Sequence, residues 1–160
     1  QSIIKAEFPD KHLYFTEGSV FRPRGAVQIA NILRNWSRSY NAWVVMLNEH
    51  RKPNRGPHSA SATIIELKDT GAVEYRNDYY LYGQFMKFIP RGAVRVESDN
   101  PEGKRLFSNV AFRTPDGKMV LVVANAERNN AAFSVQCGEK AFDAALPPGA
   151  VATYVWTPAR

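Results

Sequence analysis

Glu17 is the first residue placed where a fold could use its chemistry. It follows the apolar and aromatic run Lys11-His12-Leu13-Tyr14-Phe15-Thr16 and precedes Gly18-Ser19, so a buried strand ends in a turn with a carboxylate at its C-terminal end. Asn48-Glu49 puts a second carboxylate after the continuously apolar run Ala42 to Leu47. In α/β folds that end of a strand is where ligands bind. On spacing alone, Glu17 reads as an ordinary strand-end or helix-capping glutamate. Other reactive sets are missing: no Gly-rich phosphate loop, His/Cys metal cluster or Ser/His/Asp set stands at a recognisable spacing. Cys137 is the single cysteine, which excludes an internal disulfide and a thiolate cluster. His58, after Gly56-Pro57, reads as a lone histidine making a structural hydrogen bond. No metal and no organic cofactor is implied.

The elements that must position these residues begin with a helix. From Gly25 to Tyr40, Ala26, Ile29, Ala30, Ile32, Leu33 and Trp36 recur at three- and four-residue spacing, which predicts an amphipathic helix. Ala42 to Leu47 then reads as a second strand buried on both faces, as in a parallel sheet. Strand, helix, strand is the α/β unit, with a right-handed connection. The Pro-, Gly-, Ser- and Asn-rich stretch from Glu49 to Ser61 is the loop after the second strand. Ala62 to Leu67 and Ala72 to Tyr75 form a predicted hairpin around Lys68-Asp69-Thr70-Gly71. Asp78 offers an N-cap for a helix from about Tyr79 to Phe88, ended by Pro90.

After Gly92 the rhythm changes. Val94 to Ser98, Leu106 to Arg113, Met119 to Asn125, Ala131 to Gln136, Ala141 to Leu146 and Ala150 to Trp156 are β-rich runs divided by turns such as Thr114-Pro115-Asp116-Gly117 and Pro147-Pro148-Gly149. With no helical period between them, they predict an antiparallel sandwich.

Composition narrows the class. A chain of 160 residues that is 44% hydrophobic needs no disulfide or structural metal to hold a core. It is also too short for a complete eight-stranded α/β barrel of about 250 residues. The net charge is 21 − 15 = +6, but Arg22, Arg24, Arg34, Arg38, Arg51, Lys52, Arg55, Lys104 and Arg105 are spread among elements with acidic residues between them. This describes a solvated surface rather than a nucleic-acid face, for which affinity would fall steeply with salt. No apolar run approaches the roughly 20 residues of a membrane span. The start lacks a basic segment and apolar core, so an export signal is expected to be removed or upstream.

Six segments in register carry a resemblance. They are Leu13-Tyr14-Phe15-Thr16-Glu17-Gly18-Ser19, Arg34-Asn35-Trp36, the run from Trp43 to Asn48, Gly56-Pro57-His58, Arg76-Asn77 before Tyr79-Tyr80, and the run from Gly83 to Val96. Together they resemble the C-terminal part of glycoside hydrolase family 30, the glucosylceramidase and β-1,6-glucanase group. The resemblance implies a (β/α)8 barrel with an attached β-sandwich, and cleavage of β-glycosides with retention. The fold class expected is α+β: the last two β/α units of such a barrel within residues 1–91, then an antiparallel β-sandwich domain over 92–160. The two predicted strands become the seventh and eighth of the barrel and the Tyr79 to Phe88 helix its last. Tyr79, Tyr82, Phe85 and Phe88 become the seam with the sandwich.

Retaining hydrolysis needs one carboxylate to attack the anomeric carbon and a second carboxyl about 5–5.5 Å away to protonate the leaving oxygen. Glu17 matches the family nucleophile, and Trp43 the tryptophan that floors the sugar subsite, with Tyr14 and Asn48 expected as further substrate-binding residues. Val44 stands where the family commonly has Asn, and Arg51-Lys52-Pro53-Asn54-Arg55 is longer and more basic than the family's glycine-rich stretch. The family acid/base is the Glu of an Asn-Glu pair after the fourth barrel strand, N-terminal to the nucleophile. Asn48-Glu49 copies that pair but follows the eighth strand, so it is read as a coincidence, a new acid from that loop being the alternative.

The resemblance therefore implies the C-terminal segment of a retaining β-glycosidase that carries the nucleophile, lacks the acid/base and is inactive alone. Its expected partners are a β-linked glycoside or glycolipid and either the missing N-terminal barrel portion or a second copy, with no nucleic acid and no membrane span. Secretion or a periplasmic address is expected from where such substrates are usually degraded. The competing reading is a noncatalytic carbohydrate-binding or interaction module built on the β-sandwich.

Overall fold

A short exposed helix, α1 (Ser2–Glu7), leads into strand β1 (Leu13–Gly18), helix α2 (Arg22–Arg34) and strand β2 (Ser37–Ala42) in the computed structural model, which describes residues 1–54 and 63–158. The strands pair in parallel, Leu13 opposite Ser37, Phe15 opposite Tyr40 and Gly18 opposite Ala42, with register shifts between these pairs. Ala26, Val27, Ile29 and Ala30 form the buried face of α2, where each buried Val or Ile is worth about 1.5–3 kcal/mol.

Two predicted boundaries are corrected here. The helix stops at Arg34 rather than Tyr40, because Trp36 takes a left-handed backbone conformation (φ +75°) and the chain turns. Trp36 then lies outside the apolar face, under the Arg95 guanidinium at 4.2 Å from the ring centroid. The second strand is therefore the polar-looking Ser37–Ala42, which pairs its backbone with β1. The expected continuous strand from Ala42 to Leu47 is interrupted after Ala42, and only β3 (Met46–Asn48) resumes pairing.

Strand β3 pairs in parallel with β4 (Ile65–Leu67), which pairs antiparallel with β5 (Val73–Tyr75) across the turn at Lys68 to Gly71. That hairpin agrees with the sequence reading from Thr63 onward; Ala62 lies outside the described residues. Helix α3 (Asn77–Met86) begins two residues earlier than predicted. Asp78 is not its N-cap: Arg76 holds that position, and the buried Asp78 carboxylate instead accepts the backbone N–H of Arg22 at the start of α2.

The remaining strands are β6 (Val94–Val96), β7 (Phe107–Arg113), β8 (Met119–Asn125), β9 (Ala131–Cys137), β10 (Lys140–Leu146) and β11 (Val151–Trp156). They follow the predicted runs closely. An antiparallel sheet in the order β11-β8-β7-β6 carries a core on each face. Val110, Phe112, Val120, Val122 and Ala124 pack against α2 and against Tyr82 and Phe85 of α3. The other face, with Phe107, Ala111, Leu121 and Val123, is covered by the β9–β10 hairpin through Ala131 and Leu146. Polar contacts cross the first seam: Ser108 Oγ donates to Asn31 Oδ1 at 2.6 Å, Arg34 Nη1 to Ser98 Oγ at 2.6 Å, and Thr153 Oγ1 to the Gln84 carbonyl at 2.9 Å. Phe88 packs against this core, but Tyr79 does not join the seam; it is 44% exposed, with its ring 4.6 Å from that of Tyr75.

Candidate active site

The parallel β1–β2 pair brings Glu17 and Trp43 to one end. Gly18, directly after Glu17, pairs with Ala42, and its carbonyl accepts the Trp43 N–H at 2.8 Å. Both residues thus stand at the C-terminal ends of adjacent parallel strands, where carbonyls point outward and loops begin. The Glu17 carboxylate is exposed, and the Trp43 ring is 49% exposed, beside a cis Trp43–Val44 peptide bond. An open carboxylate and an open indole at the same end of adjacent strands are groups that can attack a pyranose and stack on it, since aromatic side chains present broad apolar faces and carboxylates serve as nucleophiles.

Behind Glu17 the packing leaves no slack. The Tyr40 ring stacks on Phe15, with centroids 5.1 Å apart and planes at 12°, and its hydroxyl lies against the Gly18 backbone so closely that any Cβ there would overlap it. Burial pushes the Tyr40 hydroxyl above its ordinary pKa, and that of the adjacent Tyr82 rises for the same reason. Both phenols stay neutral and serve as spacers. The apparent helical period of the sequence runs through Tyr40 and hides it as a site residue; its place opposite Phe15 exists only once β2 is formed.

The other candidates lie apart from this end. Tyr14 is three residues back along β1, about 10 Å at the usual strand rise, and its ring meets His12 edge-on at 6.4 Å. Asn48 closes its own loop: its Oδ1 accepts the N–H groups of His50 at 3.1 Å and Lys52 at 2.7 Å. Glu49 follows β3 and belongs to the β3-β4-β5 sheet, where its N–H donates to the Leu67 carbonyl at 3.1 Å and its carboxylate is 3.9 Å from Lys68 Nζ. Gly56, Pro57 and His58 lie outside the described residues.

Comparison with known proteins follows the same division. Residues 92–154 match the model of the glycosyl hydrolase family 30 beta sandwich domain. A Neurospora crassa protein named endo-1,6-beta-D-glucanase is 31% identical over 116 residues, covering 65% of this chain and 23% of that protein. The Mus musculus lysosomal acid glucosylceramidase is 30% identical over 129 residues, covering 80% of this chain and 25% of that protein. Among solved structures, SrfJ from Salmonella typhimurium superposes with a TM-score of 0.85 at 24% identity, over 99% of this chain and 38% of that one. The endo-beta1,6-glucanase BT3312 gives 0.81 at 22% identity, over 98% and 38%.

These matches define a mixed α/β segment joined to a hydrolase-type β-sandwich. The chain belongs to glycoside hydrolase family 30, of which it covers a C-terminal portion. It spans about a quarter of the length of the relatives it matches, 23% and 25% for the two proteins above.

Proposed function

We propose that this chain is the C-terminal segment of a retaining β-glycosidase acting on β-glucosides or related glycans, with Glu17 as nucleophile and Trp43 as the sugar platform. The observation that carries the reading is the Gly18 to Trp43 backbone bond, which holds an exposed carboxylate and an exposed indole at adjacent strand ends. On this reading residues 1–91 are the last two β/α units of a (β/α)8 barrel and residues 92–160 its sandwich domain. Tyr14 and Asn48 are outlying members of the sugar site: Tyr14 needs an extended glycan to be reached, and Asn48 has only its amide N–H groups to offer beyond the loop it closes.

Two carboxyls about 5–5.5 Å apart are required for turnover with retention, and the acid partner comes from a part of the protein preceding Glu17. Loss of a general acid costs a factor of about 10²–10⁴, so the 160-residue chain alone is inactive. Its partner is the remaining barrel or a second copy, which would cover the open edges of the two-stranded β1–β2 sheet. The same partner would fill a groove of about 820 Å³ lined by Leu33, Trp36, Tyr40, Phe85, Met86 and Ile89.

The test is hydrolysis of a panel of aryl β-glucosides by this chain and by Glu17→Gln, with intact-mass detection after a cyclitol-epoxide inactivator. No turnover and no adduct by the chain alone, with both restored when the upstream portion is supplied and the adduct on Glu17, is the expected result. An adduct on another residue of the restored protein, or turnover that survives Glu17→Gln, would overturn the assignment.

A further inference from the structure

Three potential metal ligands converge on the side of the β3-β4-β5 sheet, in a place that the glycosidase reading does not use. Glu49 and His50 follow β3, and Asp69 sits in the β4–β5 turn, 19 residues further along the chain. One ligand atom from each lies within 4.8 Å of the others. His50 Nε2 and Asp69 Oδ2 are 2.6 Å apart. Backbone bonds and the Asn48 side chain also hold the two loops. Glu49 N–H donates to the Leu67 carbonyl at 3.1 Å, Asn48 Oδ1 gathers the N–H groups of His50 and Lys52, and Gly71 N–H donates to the Lys68 carbonyl at 2.8 Å.

We propose that Glu49, His50 and Asp69 form a surface site for a divalent transition metal, of which Zn²⁺ is the best fit, clamping the loop after β3 to the β4–β5 turn. One imidazole nitrogen and two carboxylate oxygens, with water in the fourth position, is a three-ligand set that Zn²⁺ accepts. Calcium and magnesium prefer all-oxygen shells of higher coordination number. Tetrahedral bonds of about 2.0–2.1 Å put ligand atoms about 3.3 Å apart, so His50 Nε2 and Asp69 Oδ2, now 2.6 Å apart, must open by about 0.7 Å, and the longest separation in the set must close by at most about 1.5 Å. The side chains of His50 and Asp69 are 63% and 60% exposed, which leaves them free to make that rotation.

A competing cation among the described residues is Lys68. It is 3.9 Å from Glu49, but it is held more closely by Glu66 and, at 3.0 Å, by Glu74. The charge of Lys68 is therefore met elsewhere, and Glu49 can turn to a metal without stranding it. The His50 to Asp69 contact is what the site looks like with a proton in place of the metal, because both cations sit between the same nitrogen and oxygen.

Calorimetric titration of the intact chain with ZnCl2 in a non-chelating buffer at pH 7.5 tests the site, beside histidine-selective NMR. The expected result is one saturable site, at least tenfold weaker in His50→Ala and in Asp69→Asn. Zn²⁺ should shift the His50 ring resonances while those of His12 stay in place. Both substitutions fall on exposed side chains, and circular dichroism of each variant without metal establishes that it is folded. Absence of saturable binding, undiminished affinity in folded His50→Ala, or a shift at His12 without one at His50 would overturn the proposal.

Discussion

The carboxylate of Asp78, on the first turn of α3, accepts the backbone N–H of Arg22 at the first turn of α2, across 56 residues of chain. Phe21, the N-cap residue of α2, has no side-chain group to satisfy that amide, so the cap is supplied by another helix. A buried acceptor at a helix N-terminus is favoured both by the free amide and by the helix dipole. It also ties the two helices that cover one face of the sandwich sheet.

Asp78→Ala should therefore destabilise the chain by about 1–3 kcal/mol, the cost of losing a charge-assisted bond and leaving a part-buried amide without its acceptor. Asp78→Asn, which keeps an acceptor oxygen, should lose less. Urea denaturation followed by circular dichroism separates the two, and equal stability of Asp78→Ala and the parent chain would remove the cap from the account.

Gly18→Ala should disturb the strand end that carries Glu17. The added methyl meets the Tyr40 hydroxyl, which is packed against Phe15 and cannot retreat freely. Overpacking of this kind costs about 1–3 kcal/mol. The double variant with Tyr40→Phe removes the colliding oxygen but leaves the ring carbon that bore it in overlap with the new methyl, so it should regain only part of that loss. A thermal-melt series of the parent, both single variants and the double variant reads the recovery directly.

Asn125 should be the costliest polar residue to replace in the sandwich. It is fully buried, its Nδ2 donates to the carbonyls of Leu146 at 2.9 Å and Asn129 at 3.0 Å, and its Oδ1 accepts the Glu127 N–H at 3.0 Å. The side chain thus joins the end of β8 to the turn between β10 and β11. Asn125→Ala strands several buried groups at about 1–3 kcal/mol for each, and a large drop in the urea midpoint is expected. Asn125→Ser, which restores one bond, should fall between the two.

Acid should weaken the β7–β8 turn. Lys118, at 2.8 Å, and the Thr114 hydroxyl hold the Asp116 carboxyl down to about 2, below its ordinary value of 3.8. A depressed carboxyl stabilises the fold fully above its unfolded value and loses that contribution as pH falls toward the folded value. The difference in urea midpoint between the parent chain and Asp116→Asn should therefore be constant above about pH 5 and shrink between about pH 4 and pH 2. The pair is exposed, so added salt should reduce the difference at neutral pH.

The open β1–β2 sheet predicts association. Light scattering of the chain alone should show dimers or larger species, and dye binding should report exposed apolar surface. A strict monomer without dye binding would mean that the sheet edges and the groove beside α3 need no cover.

Much of this molecule was legible in the amino-acid order because the relevant signals are local. From Phe107 onward, each strand announces itself by apolar or β-branched residues within six or seven positions, and each turn by its own Gly, Pro, Asp or Asn. The buried face of α2 follows from residues three and four apart. The family, too, could be read from motifs in register, and its sandwich is the part matched by the family model.

What escaped the sequence depends on partners distant along the chain. Ser37–Ala42 carries no strand pattern of its own and becomes a strand because β1 lies alongside to accept its hydrogen bonds. Asp78 reads as a local cap, yet its carboxylate is spent on the helix that packs beside it. Glu17 and Trp43 are 26 positions apart, and Glu49, His50 and Asp69 span a hairpin; only the folded backbone brings Glu17 and Trp43 to one strand end and the other three to one cluster. Local preference acts through neighbouring dihedrals and side-chain period, and so is written in order along the chain. Register, cross-element capping and converging side chains are set by the packing of one element on another, which the tertiary structure alone decides.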